Sequence, residues 1–132
     1  MKYLLTLFFC TVSSFCFCQI QSSKFLRIYI SNQNKFIFSK SDFLKEETIK
    51  LTSDTFKLVS CIVYFSYCGN KKDNIQPITS TSISNNLKDS SFINLFDKRE
   101  SPTCITFENI IVKNKAGTFR RQIDGITIKV NQ

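Results

Sequence analysis

Few side chains in this 132-residue sequence belong to the types that carry out catalysis or bind metals. The sequence has no histidine, which excludes histidine-dependent triads, Cys–His nucleophiles and histidine-ligated metal sites. Its three glycines, Gly69, Gly117 and Gly125, stand apart from one another and cannot form a glycine-rich phosphate loop. No two of its six cysteines show the C-x-x-C spacing of a zinc site. We therefore expect no cofactor and no metal.

Two sets of carboxylates come close together in the sequence, Glu46 with Glu47 and Asp97 with Glu100. A glycosidase pair needs two carboxylates about 5–9.5 Å apart in a cleft. Neighbouring glutamates point apart on a strand, and Asp97 and Glu100 fall at the end of a predicted helix. We therefore expect a protein that is not an enzyme; a pocket with convergent polar groups would instead indicate a hydrolase.

Basic residues outnumber acidic ones by 18 to 10, for a formal net charge of +8. Four of them flank one predicted hairpin and form the candidate contact patch: Lys113, Lys115, Arg120 and Arg121. Such a patch suits an acidic protein, a glycan or a lipid headgroup. The alternative is a solvated surface whose lysines protect strand edges. Nucleic acid is not expected, because no aromatic–basic stacking motif accompanies the charge.

Residues 1–18 have the features of a cleaved signal peptide. A basic start at Lys2 precedes an apolar stretch, and Cys16 and Cys18 place small residues at −3 and −1 of a cut before Gln19. The stretch is short for spanning about 30 Å of hydrocarbon, which argues against the alternative of a signal anchor. We expect residues 19–132 to form a single domain, with no stable membrane insertion after cleavage.

Cleavage at that point leaves three cysteines, Cys61, Cys68 and Cys104. Cys61 and Cys68 are seven residues apart on one predicted strand, so they face opposite sides and lie about 20 Å or more apart. If one disulfide forms, it joins Cys68 to Cys104, which both fall on the outer face. Cys61 shares its parity with Val59, Val63 and Phe65 and is predicted to be a buried free thiol.

Short apolar runs separated by polar turns predict an all-β domain. The predicted strands are 25–31, 35–39, 55–67, 104–112 and 118–123, followed by alternation through Ile126, Ile128 and Val130. A helical turn could start at Ser41. The sequence predicts one stable helix, 90–99, with Phe92, Leu95 and Phe96 on one side and Ser90 or Ser91 as its cap. Together these elements predict a β-sandwich with one short helix.

The strand 104–112 carries the most detailed packing prediction. Ile105 and Phe107 share one face, and we expect both in the core of a sheet paired with residues 118–123. Ile110 breaks their alternation, which predicts a bulge near Glu108 and Asn109 that returns Ile110 to the inside. In the turn that follows, Gly117 stands where a positive φ is needed.

The C-terminal third resembles a known family. The segments ITFENI (105–110), KNKAGTFRR (113–121) and ITIKV (126–130) are similar to the C-terminal domain of the GldM family of gliding-motility and type IX secretion proteins. The resemblance extends over residues 36–130. Ala116 stands where the family usually has Asp, and the chain lacks the family's transmembrane helix and preceding periplasmic domains, so the motor role does not carry over.

This resemblance implies an immunoglobulin-like β-sandwich that contacts another protein of the cell envelope, in the periplasm or, alternatively, outside the cell. The identity of the partner and the oligomeric state stay open. The alternative function is a carbohydrate- or other ligand-binding β-sandwich domain. Exposed coplanar aromatic side chains would indicate ligand binding, whereas an apolar or basic strand edge would indicate a protein-contact module.

Overall fold

The computed structural model of the protein describes residues 26–69, 77–118 and 120–132. Over these residues the chain is mostly β, with eight strands and two short helices. They are β1 (Ile28–Tyr29), β2 (Ile37–Ser39), α1 (Lys40–Phe43), β3 (Lys50–Leu51), β4 (Phe56–Tyr67), β5 (Thr79–Ile83), α2 (Ser90–Asp97), β6 (Thr103–Asn114), β7 (Arg120–Ile123) and β8 (Ile126–Asn131). The predicted signal peptide lies outside the described residues. Within the described ranges, no helix has the length and apolar character that crossing a bilayer requires.

Six strands of the described chain form one mixed sheet, called here the large sheet. Its order is β2-β8-β6-β4-β5, and β7 pairs with β6 off this path. All neighbours are antiparallel except β2 and β8, which run parallel. β1 and β3 form a separate antiparallel pair, the small sheet. The predicted central strand is confirmed as β4, which lies between β5 and β6.

The strands β7 and β8 lie end to end along one side of β6. Ile123 of β7 faces Ile110, and Ile126 of β8 faces Phe107, so the two pairings share one register. Gly125 lies in the break between the two strands. A Cβ there would collide with the backbone carbonyl oxygen of Phe107, so the close approach of the two chains requires glycine.

The large sheet buries one face, called here the inner face. Buried side chains from the large sheet, the small sheet and both helices form one hydrophobic cluster. Its centre is a group of phenylalanines whose ring centroids lie 5.2–6.5 Å apart: Phe38, Phe43, Phe65, Phe92 and Phe96. Each ring buries a large apolar area, so these contacts hold the helices on the sheet.

The predicted core of β6 is confirmed, because Ile105, Phe107 and Ile110 are each 0% exposed. Between Glu108 and Ile111 the pairing with β4 shifts by one extra residue on β6, and Asn109 has a φ of 48°. The predicted bulge is therefore confirmed, and it turns Ile110 inward. The predicted pairing with residues 118–123 is correct for Ile110 only; Ile105 and Phe107 lie opposite β8 instead.

A second irregularity lies on β4, between Leu58 and Ser60. Leu58 faces buried Val112 and packs against the core, so its neighbour Val59 falls off the inner face. The prediction that Val59 shares the inner face with Cys61 is wrong, because the irregularity reverses the alternation between them.

Both helices are capped one or two residues before the serines that the sequence predicted, whereas α2 itself starts at the predicted Ser90 and ends at Asp97. α1 is capped by Ser39, whose side chain accepts a hydrogen bond of 3.1 Å from the backbone N–H of Asp42. α2 is capped by Asp89, whose carboxylate accepts from the backbone N–H groups of Ser91 and Phe92 at 2.9 and 3.3 Å. A carboxylate satisfies these N–H groups and also interacts favourably with the positive end of the helix dipole.

The expectation of one short helix is corrected to two in the described residues, because α1 also forms. It is stable despite its length because Phe43 is buried among the other rings. Two short strands were not predicted, β3 and β5. The serine- and threonine-rich β5 has little strand signal of its own, and it forms by pairing with β4 between Cys61 and Phe65.

Candidate interaction surface

The candidate contact patch lies on the hairpin formed by β6, the 115–118 turn and β7, called here the basic hairpin. The backbone N–H of Lys115 donates to the Thr55 carbonyl at 3.0 Å, which ties the turn to the start of β4. Gly117 has a φ of 76°, the positive value predicted for it. The hairpin is therefore part of the sheet framework.

The four predicted residues lie together on this hairpin but not on one face. Lys113 pairs directly with Arg120, whereas Arg121 pairs with buried Val112. Directly opposite residues share a face of an antiparallel pair, so Arg121 lies on the inner side. Its guanidinium carbon lies 5.1 Å from the ring centroid of Phe56, which packs at the edge of the core. Lys113 and Arg120 point to the outer face.

A cation that the sequence analysis missed completes the outer-face group. Lys57 of β4 is the direct partner of Lys113, which in turn faces Arg120. Lys57, Lys113 and Arg120 thus form one row across three neighbouring strands, called here the cation row, with Cβ atoms of neighbours about 4.5–5.5 Å apart. Only the register of β4 against β6 brings Lys57 into this row, and no local pattern reveals it.

The cation row has no acidic partner within the described part of the chain, and neither Lys115 nor Arg121 has one. The described ion pairs lie elsewhere: Asp42 with Lys45 at 3.2 Å and with Lys35 at 4.0 Å, and Asp97 with Lys40 at 3.7 Å. Like charges directly opposite one another destabilise a sheet. An acidic group placed over the row would relieve that repulsion.

The cysteines lie at the other end of β4 and β6. The structure joins Cys68 and Cys104, the pair named from strand parity, in a disulfide with a Cα–Cα distance of 5.6 Å. Buried Thr103 and Ile105 flank Cys104, so the disulfide lies on the outer face. Cys61 is a free thiol, only 1% exposed, and burial raises its pKa to about 12. A neutral, buried thiol is a poor nucleophile.

Of the carboxylates considered for catalysis, Asp97 has a structural role, because it ends α2 and pairs with Lys40 at 3.7 Å. Beside Glu46, the backbone of Glu47 is fixed in place, since its carbonyl accepts a hydrogen bond of 2.8 Å from the N–H of Leu87. Asp42 has its pKa lowered, first by the hydrogen bond from Lys45 and then by the one from Ser39. In the described residues, no group of three or more Cys, Asp or Glu side chains could hold a metal ion.

Comparison with family models, with curated proteins and with solved structures found no match to this chain.

Proposed function

We propose that this protein is an exported, non-enzymatic protein-interaction module of the cell envelope, and that the basic hairpin is its contact surface. The observation that supports this most strongly is the cation row, in which Lys57, Lys113 and Arg120 lie side by side with no acidic partner in the described chain. An acidic surface on a partner protein would complement it. Charge complementarity of this kind acts mainly on specificity and on the association rate.

The strand order supports the finer proposal of an immunoglobulin-like domain similar to that of the GldM family. In immunoglobulin domains the last strand, the strand before it and the third strand are neighbours, and variable-type domains add one strand beyond the third. The order β8-β6-β4-β5 gives the same neighbours when β7 and β8, which lie end to end along β6, are counted as one strand, although β4 is the fourth strand of this chain and not the third. In an immunoglobulin domain, a second sheet covers the inner face of the first. In this protein, α2 and the small sheet cover the inner face instead.

Two features support export. The first is the sequence of residues 1–18, which has the charge and apolar pattern of a signal peptide. The second is the disulfide between Cys68 and Cys104, a bond that persists in oxidising compartments such as the periplasm. Intact-mass measurement of the exported protein tests this part of the proposal. A mature species that starts at Gln19 is expected, and one that keeps Met1 would contradict it.

Charge reversal tests the contact surface. The double variant Lys113→Glu/Arg120→Glu should lose partners that the wild type captures from envelope extract, and the wild-type interaction should weaken as salt is added. The matched control is Lys98→Glu/Lys129→Glu, which changes the net charge equally and alters sites outside the hairpin.

The outcomes separate a contact surface from a merely solubilising one. Partner loss in the hairpin variant, with capture retained in the control, supports the proposal. Equal capture by both variants would show that the hairpin charges serve solubility only. Equal loss of partners in both variants would show that capture depends on the overall net charge and not on the cation row.

A further inference from the structure

A cavity of about 290 Å³ lies beside β1, between the 33–36 segment and the turn that precedes β8, and is called here the rim cavity. Its volume lies just below the range of about 300–1,000 Å³ that is usual for ligand sites, which suits a ligand of one or two small rings. None of the three cations of the cation row lines it. The rim cavity is therefore a separate site from the basic hairpin.

An exposed aromatic ring forms one wall of the rim cavity. Phe36 is 49% exposed and precedes β2, where Phe38 is buried and Ile37 is 62% exposed. Alternation places Phe36 on the same side as Phe38, so its ring extends the inner aromatic layer past the edge of the core. The carbonyl of Phe36 accepts a hydrogen bond of 2.8 Å from the Lys129 N–H, which fixes the backbone there. Half-buried Tyr29 lines the same cavity.

Several of the other lining residues of the cavity carry polar side chains. Gln33 and Asn34 contribute amides, which both donate and accept hydrogen bonds. Their loop is shaped by Asn32, whose side-chain oxygen accepts from the N–H of Asn34 at 3.1 Å. One basic residue, Arg27, and one acidic residue, Asp124, also line the cavity. These opposite charges balance, which favours a neutral ligand over a strongly charged one.

The opposite wall is formed by backbone that has little freedom to move. Gly125 lines the cavity and lies so close to the Phe107 carbonyl that no side chain fits. The cavity is thus built between a turn fixed by the large sheet and a loop fixed by its own hydrogen bonds. A site of this kind exists before its ligand binds, which lowers the cost of binding.

We propose that the rim cavity binds a neutral sugar unit of a polysaccharide. The apolar face of the sugar ring would pack on Phe36 and Tyr29, and its hydroxyl groups would bond to Gln33, Asn34 and Asp124. An aromatic wall combined with a few polar groups that both donate and accept is the composition that a polyhydroxylated ring requires.

Titration of the ¹⁵N-labelled protein with maltose, cellobiose and N,N′-diacetylchitobiose, followed by NMR, tests this proposal. At least one of these neutral disaccharides should shift the amide signals of residues around the rim cavity. Phe36→Ala should weaken the affinity by about tenfold or more. Its matched control is Ile37→Ala, which removes a neighbouring exposed apolar side chain from the opposite side and should leave the affinity unchanged.

Two further variants keep the result interpretable. Asp124→Asn keeps the shape of the side chain and removes its charge, so it should weaken binding even if Phe36→Ala fails to fold. Lys113→Glu/Arg120→Glu should bind the sugar normally, which separates this site from the basic hairpin. The proposal is overturned if none of the three sugars shifts signals at the cavity, or if Phe36→Ala and Asp124→Asn both bind as wild type.

Discussion

The two faces of the large sheet are made by the same strands yet have opposite characters. On the inner face, Val63, Phe65 and Phe107 are completely buried under the helices and the small sheet. On the outer face, Thr106 and Thr127 bond to each other through their hydroxyls at 2.9 Å, and the cation row lies beyond them. The inner face therefore supplies most of the stability, and the outer face is left available for contacts.

The largest expected effect comes from deleting an inner-face ring. Phe107→Ala should lower the free energy of unfolding by about 3–5 kcal/mol, because it leaves a cavity in a fully packed region. Denaturant unfolding measures the change. The control is Thr106→Ala, the neighbouring outer-face residue, which should cost no more than about 1 kcal/mol for its lost hydrogen bond. Equal losses of unfolding free energy in both variants would contradict the conclusion that the inner face supplies most of the stability.

The disulfide on the outer face is expected to stabilise the protein about as much as one buried ring of the inner face does. The disulfide between Cys68 and Cys104 joins residues 36 apart in sequence. Closing a loop of that length stabilises a protein by about 3–4 kcal/mol in the chain-entropy model. Cys68→Ser/Cys104→Ser should therefore unfold at lower denaturant concentration, and wild type should match it under reducing conditions. Non-reducing peptide mapping checks the pairing, and a crosslink that contains Cys61 would contradict it.

The buried thiol on the inner face should make stability depend on alkaline pH. Burial raises the pKa of Cys61 from 9.0 to about 12, so the folded state favours the neutral thiol. The stabilisation that the neutral Cys61 thiol gives the folded state is complete below pH 9 and is lost as the pH rises toward 12. The free energy of unfolding should fall by about 1.4 kcal/mol for each pH unit in this range. The measurement is the difference in unfolding free energy between wild type and Cys61→Ala. A difference that stays constant across this range would contradict burial of the thiol.

The smallest effect is expected on the outer face, where a charge change should not harm the fold. Arg120→Glu replaces the repulsion across from Lys113 with an attraction and should stabilise the protein by about 0.2–1 kcal/mol. The gain should shrink in high salt, because both groups are partly open to solvent. Thermal melts at two ionic strengths test this, with Lys98→Glu as the control. A marked loss of stability would show that Arg120 has a structural role.

Local pattern was sufficient where the packing depends on the directions of neighbouring side chains. The run of β-branched and aromatic residues in β4 identified the central strand, and the broken alternation at Ile110 identified the bulge. Spacing of three and four residues likewise placed Phe92 and Phe96 on the buried side of α2. Each of these features depends on which way neighbouring side chains point, and this is decided within a few residues.

Local pattern failed where a structure depends on distant partners. β5 has a weak strand signal and forms only because β4 offers a free edge. The caps Ser39 and Asp89 were missed because nearby serines satisfied the same pattern equally well. The rim cavity could not be predicted, since Tyr29 and Gly125 are far apart in sequence and no periodicity relates them.

The amino-acid sequence was enough to predict the mostly β character, the apolar side of most of β4 and β6 and the excess of positive charge. Which charges meet depends on the tertiary structure: the register of β4 against β6 placed Lys57 beside Lys113, and the pairing of β6 with β7 placed Arg120 opposite Lys113. The physical reason is that side-chain direction follows from local backbone geometry. Strand register, by contrast, follows from the packing of the whole core, which no short segment contains.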